Sequence, residues 1–424
     1  MRVECPLKSV AILTPWFPNL PGDPEGAFIL DSALALTQVG WKVGILVVRP
    51  WVPPFCQRLV DRMWRGEVCV TAFKFATLRV VRVPTLPRVV LRSLTDIVSD
   101  RIITNALDHM VRSISADVVH VQTEGFGPIA VNVARRLRVP LVVTVHGLNM
   151  HPRYLHSSYQ KQRLRSGLAC ADRVVLVGEP LRDFFRRYIG GNRNFQIVPN
   201  GIDCPRLRRD GSILQSDPLR LISVSTLEEG KGVDLTLFAL AQLRRKGISN
   251  WTYRIIGEGP RQAALLKLTT DLRLADKVTF VGRVRHAEIF DHLACGDIFV
   301  LPSYREAFGI AYLEAMAAGL LTIGVIGQGP SQFIRDGENG LLVPPRDVDA
   351  LVVVLRNILT GDRQLLRNIA SEGQRTAQNS YTWDNHARQL VDLYEEVIGK
   401  CEIDHSANIP SPGAVRFVSG KSRP

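Results

Sequence analysis

The chain has no Cys-x-x-Cys pair, no leader-like N-terminus, no short internal repeat and no uncharged apolar run long enough to span a membrane. Its seven cysteines, Cys5, Cys56, Cys69, Cys170, Cys204, Cys295 and Cys401, are odd in number and scattered. That distribution argues against a disulfide framework and a zinc site, and points to a reducing compartment. Near the N-terminus the apolar residues 10–13 run at once into Pro15, Trp16 and Pro18, so no secretory leader is expected. The longest apolar stretch, 307–326, carries Glu314 at its centre and several glycines, and reads as a buried helix followed by a strand. Asp347-Val-Asp349 has the form of a metal-binding Asp-x-Asp, but two prolines precede it and a helical pattern follows. Asp347 is expected to cap that helix, and no metal site is expected.

What is present is a long, globular composition with lopsided charge. The 424 residues are 46% hydrophobic and 22% charged, enough for two or three domains with real cores. The net charge is +13, and residues 1–205 hold 26 Lys and Arg against 15 Asp and Glu, a net of +11. Basic residues cluster at 58–65, 74–92, 135–138 and 153–165, with Trp51, Trp64, Phe73 and Phe75 between them. Such a half suits an anionic membrane surface or anionic substrate. The second half is nearly neutral, which argues against a nucleic-acid cleft, since that would be basic on both walls.

Apolar runs of strand length alternate with helical segments almost throughout, the pattern of parallel α/β sheets. The runs are 9–13, 42–48, 78–83, 117–121, 141–145, 173–177 and 196–198, then 220–224, 252–256, 277–281, 298–301, 322–325 and 340–343. The polar stretch 202–218 separates them as a linker. The expected organisation is a first domain over 1–205, a second over 206–380, an amphipathic helix over 381–402 with Thr382 as its N-cap, and a disordered tail over 403–424. Two doubly wound domains leave a cleft between the C-terminal edges of their sheets, where ligands bind.

The chemistry concentrates where those edges would meet. Glu306 and Glu314 stand with seven residues between them around the Phe308-Gly309-Ile310 turn, where a strand gives way to a helix. A glycine turn feeding a helix N-terminus offers backbone N–H groups to a phosphate, and carboxylates suit hydroxyls. Together they describe a nucleotide-sugar site. Ser225-Thr226-Leu227-Glu-Glu-Gly230-Lys231-Gly232 follows the first strand of the second half, and Gly257-Glu-Gly259 and Gly282-Arg-Val284 each end a strand. In the first half, Gly22-Asp-Pro-Glu-Gly26 precedes a helix and Thr144-Val-His146-Gly147 ends a strand; His120 and His151 read as structural. Pro199-Asn-Gly-Ile-Asp203 reads as a hinge turn without a chemical role.

The segment from Ser303 to Gly319 resembles the Glu-x7-Glu signature of retaining glycosyltransferases of family 4, the glycosyl transferases group 1, and the resemblance covers most of residues 10–400. It implies the GT-B fold, two Rossmann-like domains facing across a cleft with the last helix crossing back to the first. By that resemblance Glu306 orients sugar hydroxyls or stabilises charge at the anomeric centre, and His146 faces the sugar. Glu314 accepts the ribose hydroxyls, and the Phe308-Gly309-Ile310 backbone reaches the phosphates. Lys231 holds the diphosphate, Gly282 and Val284 flank the base, and Gly26 lets the acceptor approach. The family's basic residue before Leu227 is Thr226 here, its acidic residue is Gln332, and its proline is Leu321. The implied activity is metal-independent transfer from a nucleotide-diphosphate sugar, with no other cofactor, to a carbohydrate or lipid-linked acceptor. Exopolysaccharide, lipopolysaccharide or glycolipid assembly in the cytoplasm, peripheral at the inner membrane face, is the setting implied. A sugar phosphorylase or epimerase on the same fold, and a non-enzymatic basic binder, are the alternative classes.

Overall fold

The structure is a computed structural model that describes residues 7–18, 22–24, 26–50, 78–85, 92–147, 158–188, 195–203 and 214–407. The basic, aromatic-bearing stretch 51–77, His151, most of the linker and the tail beyond 407 lie outside the described residues. Every strand expected from an apolar run is present, because a strand in a sheet packed on its faces buries most of its side chains and is mainly apolar. The first sheet contains β1 (Ser9–Thr14), β2 (Lys42–Pro50), β3 (Leu78–Thr85), β4 (Val118–Val121), β5 (Leu141–Val145), β6 (Arg173–Leu176) and β7 (Phe195–Ile197). Its strand order is β3-β2-β1-β4-β5-β6-β7. The second contains β8 (Leu219–Val224), β9 (Trp251–Ile256), β10 (Val278–Gly282), β11 (Ile298–Val300), β12 (Leu321–Val325) and β13 (Leu341–Val343), in the order β10-β9-β8-β11-β12-β13. All pairings are parallel; Ser9 meets Lys42 on one side of β1, and Val10 meets Val118 on the other.

In both sheets the order reverses beside the first strand, between β1 and β4 and between β8 and β11. Those switch points place the loops after β1, β4, β8 and β11 at the ligand edge. Two helices begin there. Helix α1 (Ala27–Gln38) follows β1, and the helix Val233–Arg245 follows β8. Asp347 does cap a helix: its carboxylate accepts from the N–H of Ala350 at 2.8 Å. Asp336 and Asn339 serve a turn, each accepting from a backbone N–H, at Leu342 and Arg335.

The last helix spans Trp383–Ala407 and so continues past residue 402 into the expected tail, its final turns supported by the Lys400–Glu396 pair. Thr382 caps it through the N–H of Asn385 at 3.2 Å. It crosses back to the first sheet, where Trp383, Leu390, Leu393 and Tyr394 share a core with Ile12, Ile29, Leu36 and Trp41. His386 fastens the crossing. Its Nδ1 lies 2.7 Å from the carbonyl of Pro199, which can only accept, so its Nε2 accepts from Ser32 at 2.8 Å. His120 is structural, enclosed and bonded to Tyr394 and Thr144.

Candidate functional site

A cavity of about 610 Å³ opens between the two sheets' C-terminal edges, within the size range of small-molecule sites. From the second domain it takes Thr226, Val284, Ile310 and Glu314; from the first, Phe28 and Asp31; from the hinge, Ile202 and Asp203.

The helix carrying Glu314 is Ile310–Ala317, and it begins on Gly309 at φ +97°. A side chain at 309 would be strained there, and its Cβ would come within 2.8 Å of the Tyr312 ring. In the first turn of this helix the N–H of Tyr312 donates to the carbonyl of Gly309 at 3.1 Å, and the N–H groups before it have no helical acceptor, the arrangement that favours an anion. The ring of Phe308 is buried against Phe333 and Tyr381, and its backbone packs closely on Gly329. Glu306 is held just before that turn. Its N–H donates to Gln328 at 3.0 Å, its carbonyl accepts from Gly329 at 2.8 Å, and its Oε2 accepts from Lys231 at 2.9 Å. The loop after β8 is thus fastened to the loop after β11 by two residues expected at the site. Gln328 was not legible as a site residue.

Glu314 is only 6% exposed, and burial pushes its carboxyl up to about 7, against the pull of His286. Beside it, Asp31, Asp203 and His286 each bring one ligand-type atom, all within 4.8 Å of one another. His286 and Asp31 form an ion pair at 3.5 Å that raises the histidine's pKa. The N–H of His286 donates to the carbonyl of Gly22 at 3.1 Å, and Arg283 pairs with Asp23, so the first-domain turn before α1 is latched to the loop after β10. Asp31, Asp203, His286 and Arg283 line the cavity and were not expected there from the sequence; Asp203 belongs to the turn read as a hinge. No short-range spacing ties them, because they meet only once the domains do.

His146 directly follows β5 with Nε2 2.7 Å from Gln122 Oε1, edge-on to Trp16 and against the tilted ring of Phe28; desolvation pushes it down to about 3. It is neutral. The next residue, Gly147, abuts Ala307, whose Cβ lies 2.4 Å from where a Cβ at 147 would stand. His146 therefore precedes the point where the first domain touches the Glu306 loop. Gly26, with φ +76°, closes its turn against the backbone of Phe17, and Gly282 ends β10 facing open space. Thr226 is exposed on the cavity wall, Gln332 sits against Gly178 and Glu179 of the first domain, and Leu321 is buried at the start of β12.

Two doubly wound parallel domains facing across such a cleft define the GT-B class of glycosyltransferase. The family model for glycosyl transferases group 1 matches residues 207–376, and that for glycosyltransferase family 4 matches residues 26–206. Glycogen synthase from Mycobacterium tuberculosis is 30% identical over 291 residues, 67% of this chain and 69% of that protein. Among solved structures, sucrose-phosphate synthase from Thermosynechococcus elongatus superposes with a TM-score of 0.71 at 19% identity, covering 93% of this chain and 100% of that one. HepE from Anabaena, solved with UDP and glucose, gives 0.68 at 19% identity, over 92% and 100% of the two chains. The chain belongs to glycosyltransferase family 4. No helix among the described residues is long and apolar enough to cross a membrane.

Proposed function

We propose that this glycosyltransferase moves a sugar from a nucleotide-diphosphate donor to an acceptor hydroxyl with retention at the anomeric carbon and without a required metal. The observation that carries the reading is the Lys231–Glu306 pair at the opening of the helix Ile310–Ala317, beside the interdomain cavity. Lys231 and the N–H groups of that helix start supply fixed positive character for a leaving diphosphate, the task a metal performs elsewhere. Glu306 lies on the sugar side as the group that orients hydroxyls or stabilises cationic character at the reacting carbon. His146, neutral and opposite, accepts from a sugar hydroxyl: its Nε2–H donates to Gln122 Oε1, which leaves Nδ1 with a lone pair. Glu314 takes the ribose, and Gly282 and Val284 flank the base. The +11 of residues 1–205 supports an acceptor held at an anionic membrane, in glycolipid or surface-polysaccharide assembly.

Thermal-shift screening against nucleotide sugars tests the donor. A donor at a hundred times its Kd adds about 2.7 kcal/mol of stability. Release of nucleoside diphosphate in EDTA, with an acceptor present and no sugar phosphate formed, supports the reading. Strict metal dependence, or release of sugar phosphate, contradicts it.

A further inference from the structure

Among the cavity's ionisable side chains, carboxylates outnumber cations, and its remaining wall is largely apolar, with Phe28, Ile202, Val284, Ile289, Phe290 and Trp383. Asp203 and Glu314 stand in that wall with no side-chain hydrogen bond or ion pair among the described residues, Asp203 open to the cavity and Glu314 almost fully enclosed. They come from opposite sides of the cleft. Asp203 lies at the hinge, one residue after Ile202 donates to the carbonyl of Tyr381 at 2.9 Å, and Glu314 lies in the second domain.

Ionised carboxylates only accept hydrogen bonds. A partner for two of them must bring two donors and no negative charge of its own, and must fill an apolar neighbourhood with the rest of its surface. A nucleoside does this: its vicinal diol offers two O–H groups, and its base is a flat apolar face with polar edges. The diphosphate, repelled by this wall, is left to Lys231 and the helix start. We propose that Asp203 joins Glu314 in gripping the ribose diol of the donor nucleotide, one carboxylate from each side of the cleft, with the Asp31–His286 pair holding the walls at that spacing. This rests on the reading of the chain as a nucleotide-sugar transferase.

Burial, then the charge of Asp31, raises the pKa of Asp203, and burial raises that of Glu314, as expected for carboxylates still lacking donors. A cation bound by Asp31, Asp203 and His286 is the less favoured occupant. His286 Nε2 lies 3.5 Å from Asp31, and a metal would have to replace that contact.

The test is calorimetry on the full chain with UDP, GDP and ADP, the tightest of which is then compared with its 2′,3′-dideoxy counterpart. The parent should prefer the ribonucleotide by roughly ten- to a hundred-fold, the range of charged hydrogen bonds. Asp203→Ala should lower ribonucleotide affinity about tenfold and leave the dideoxy compound bound as before, shrinking the ratio. Asp31→Asn, which loosens the contact with His286 and removes no carboxylate from the proposed diol grip, should weaken both alike. If Asp203→Ala does not fold, Asp203→Asn carries the same ratio test, with a smaller decrease expected. An Asp203 variant with the parent's ratio overturns the proposal alone. Failure of all three diphosphates to bind the parent overturns it together with the reading beneath it.

Discussion

Lys231 Nζ and Glu306 Oε2 stand 2.9 Å apart, joining the loop after β8 to the loop after β11, with side chains 23% and 14% exposed. Without a ligand each neutralises the other. A donor diphosphate would draw on the same ammonium, so binding loosens the pair and frees Glu306 for the sugar. Glu306→Gln should therefore abolish transfer while leaving nucleoside diphosphate affinity unchanged or up to about tenfold (~1.4 kcal/mol) higher. Lys231→Ala should weaken that affinity and lower stability by about 1–3 kcal/mol, since a half-buried carboxylate loses its partner. Kinetics, calorimetry and urea unfolding on the two variants check this. Full turnover in Glu306→Gln removes Glu306 from the chemistry.

Thr226 occupies the position of the family's basic residue and is exposed on the cavity wall, so a longer side chain fits there without displacing core. Thr226→Arg should tighten nucleoside diphosphate binding and steepen its salt dependence, since a second cation adds an interaction that salt screens. Weaker binding, or loss of folding, would show that another group already serves the phosphates at that place.

Binding should also report the titration of Glu314, whose pKa is raised to about 7 by burial. The ribose hydroxyls need the ionised form. Affinity for nucleoside diphosphates should rise with pH by up to tenfold per unit below about 7 and level off above it, a dependence that Glu314→Gln abolishes along with part of the affinity. For stability the sign is opposite. Between the ordinary 4.5 and about 7 the folded chain keeps a proton that the unfolded chain has lost, so this group destabilises the fold as pH rises through that window.

Three enclosed histidines set the acid limit of the fold. Burial pushes His120, His146 and His386 down from 6.5 to about 3, about 3 and about 4. Below 6.5 the unfolded chain takes up protons that the folded chain refuses, so stability is lost as pH falls toward the folded pKa values. Each histidine contributes about 1.4 kcal/mol per pH unit in that window. Urea midpoints should fall from pH 7 to pH 5, and less steeply in His386→Gln. A His386→Gln variant whose midpoint falls as steeply as the parent's would show that the buried His386 ring does not carry this dependence.

The strands were legible as short, mainly apolar runs, most of them largely buried; 42–48 and 322–325 needed no further signal. Lys231, Glu306 and Glu314 were legible through their place after strands. The Asp31–Asp203–His286 cluster was not. Its members sit in a helix, a hinge and a 3-10 turn, and nothing local in their spacing records that the domains bring them within 4.8 Å. Gln328, which fixes the N–H of Glu306, was hidden for the same reason: it reads as one more residue in a glycine turn.

Proton NMR of the product formed from an α-linked nucleotide sugar tests the central claim most directly. Retaining transfer is expected at the Lys231–Glu306 pair, before the start of the helix Ile310–Ala317. The new glycosidic bond should carry the small anomeric coupling of the α configuration from the first turnover, and no product should form with Glu306→Gln. A β-linked first product, or an α-linked product made at the parent's rate by Glu306→Gln, would contradict the account.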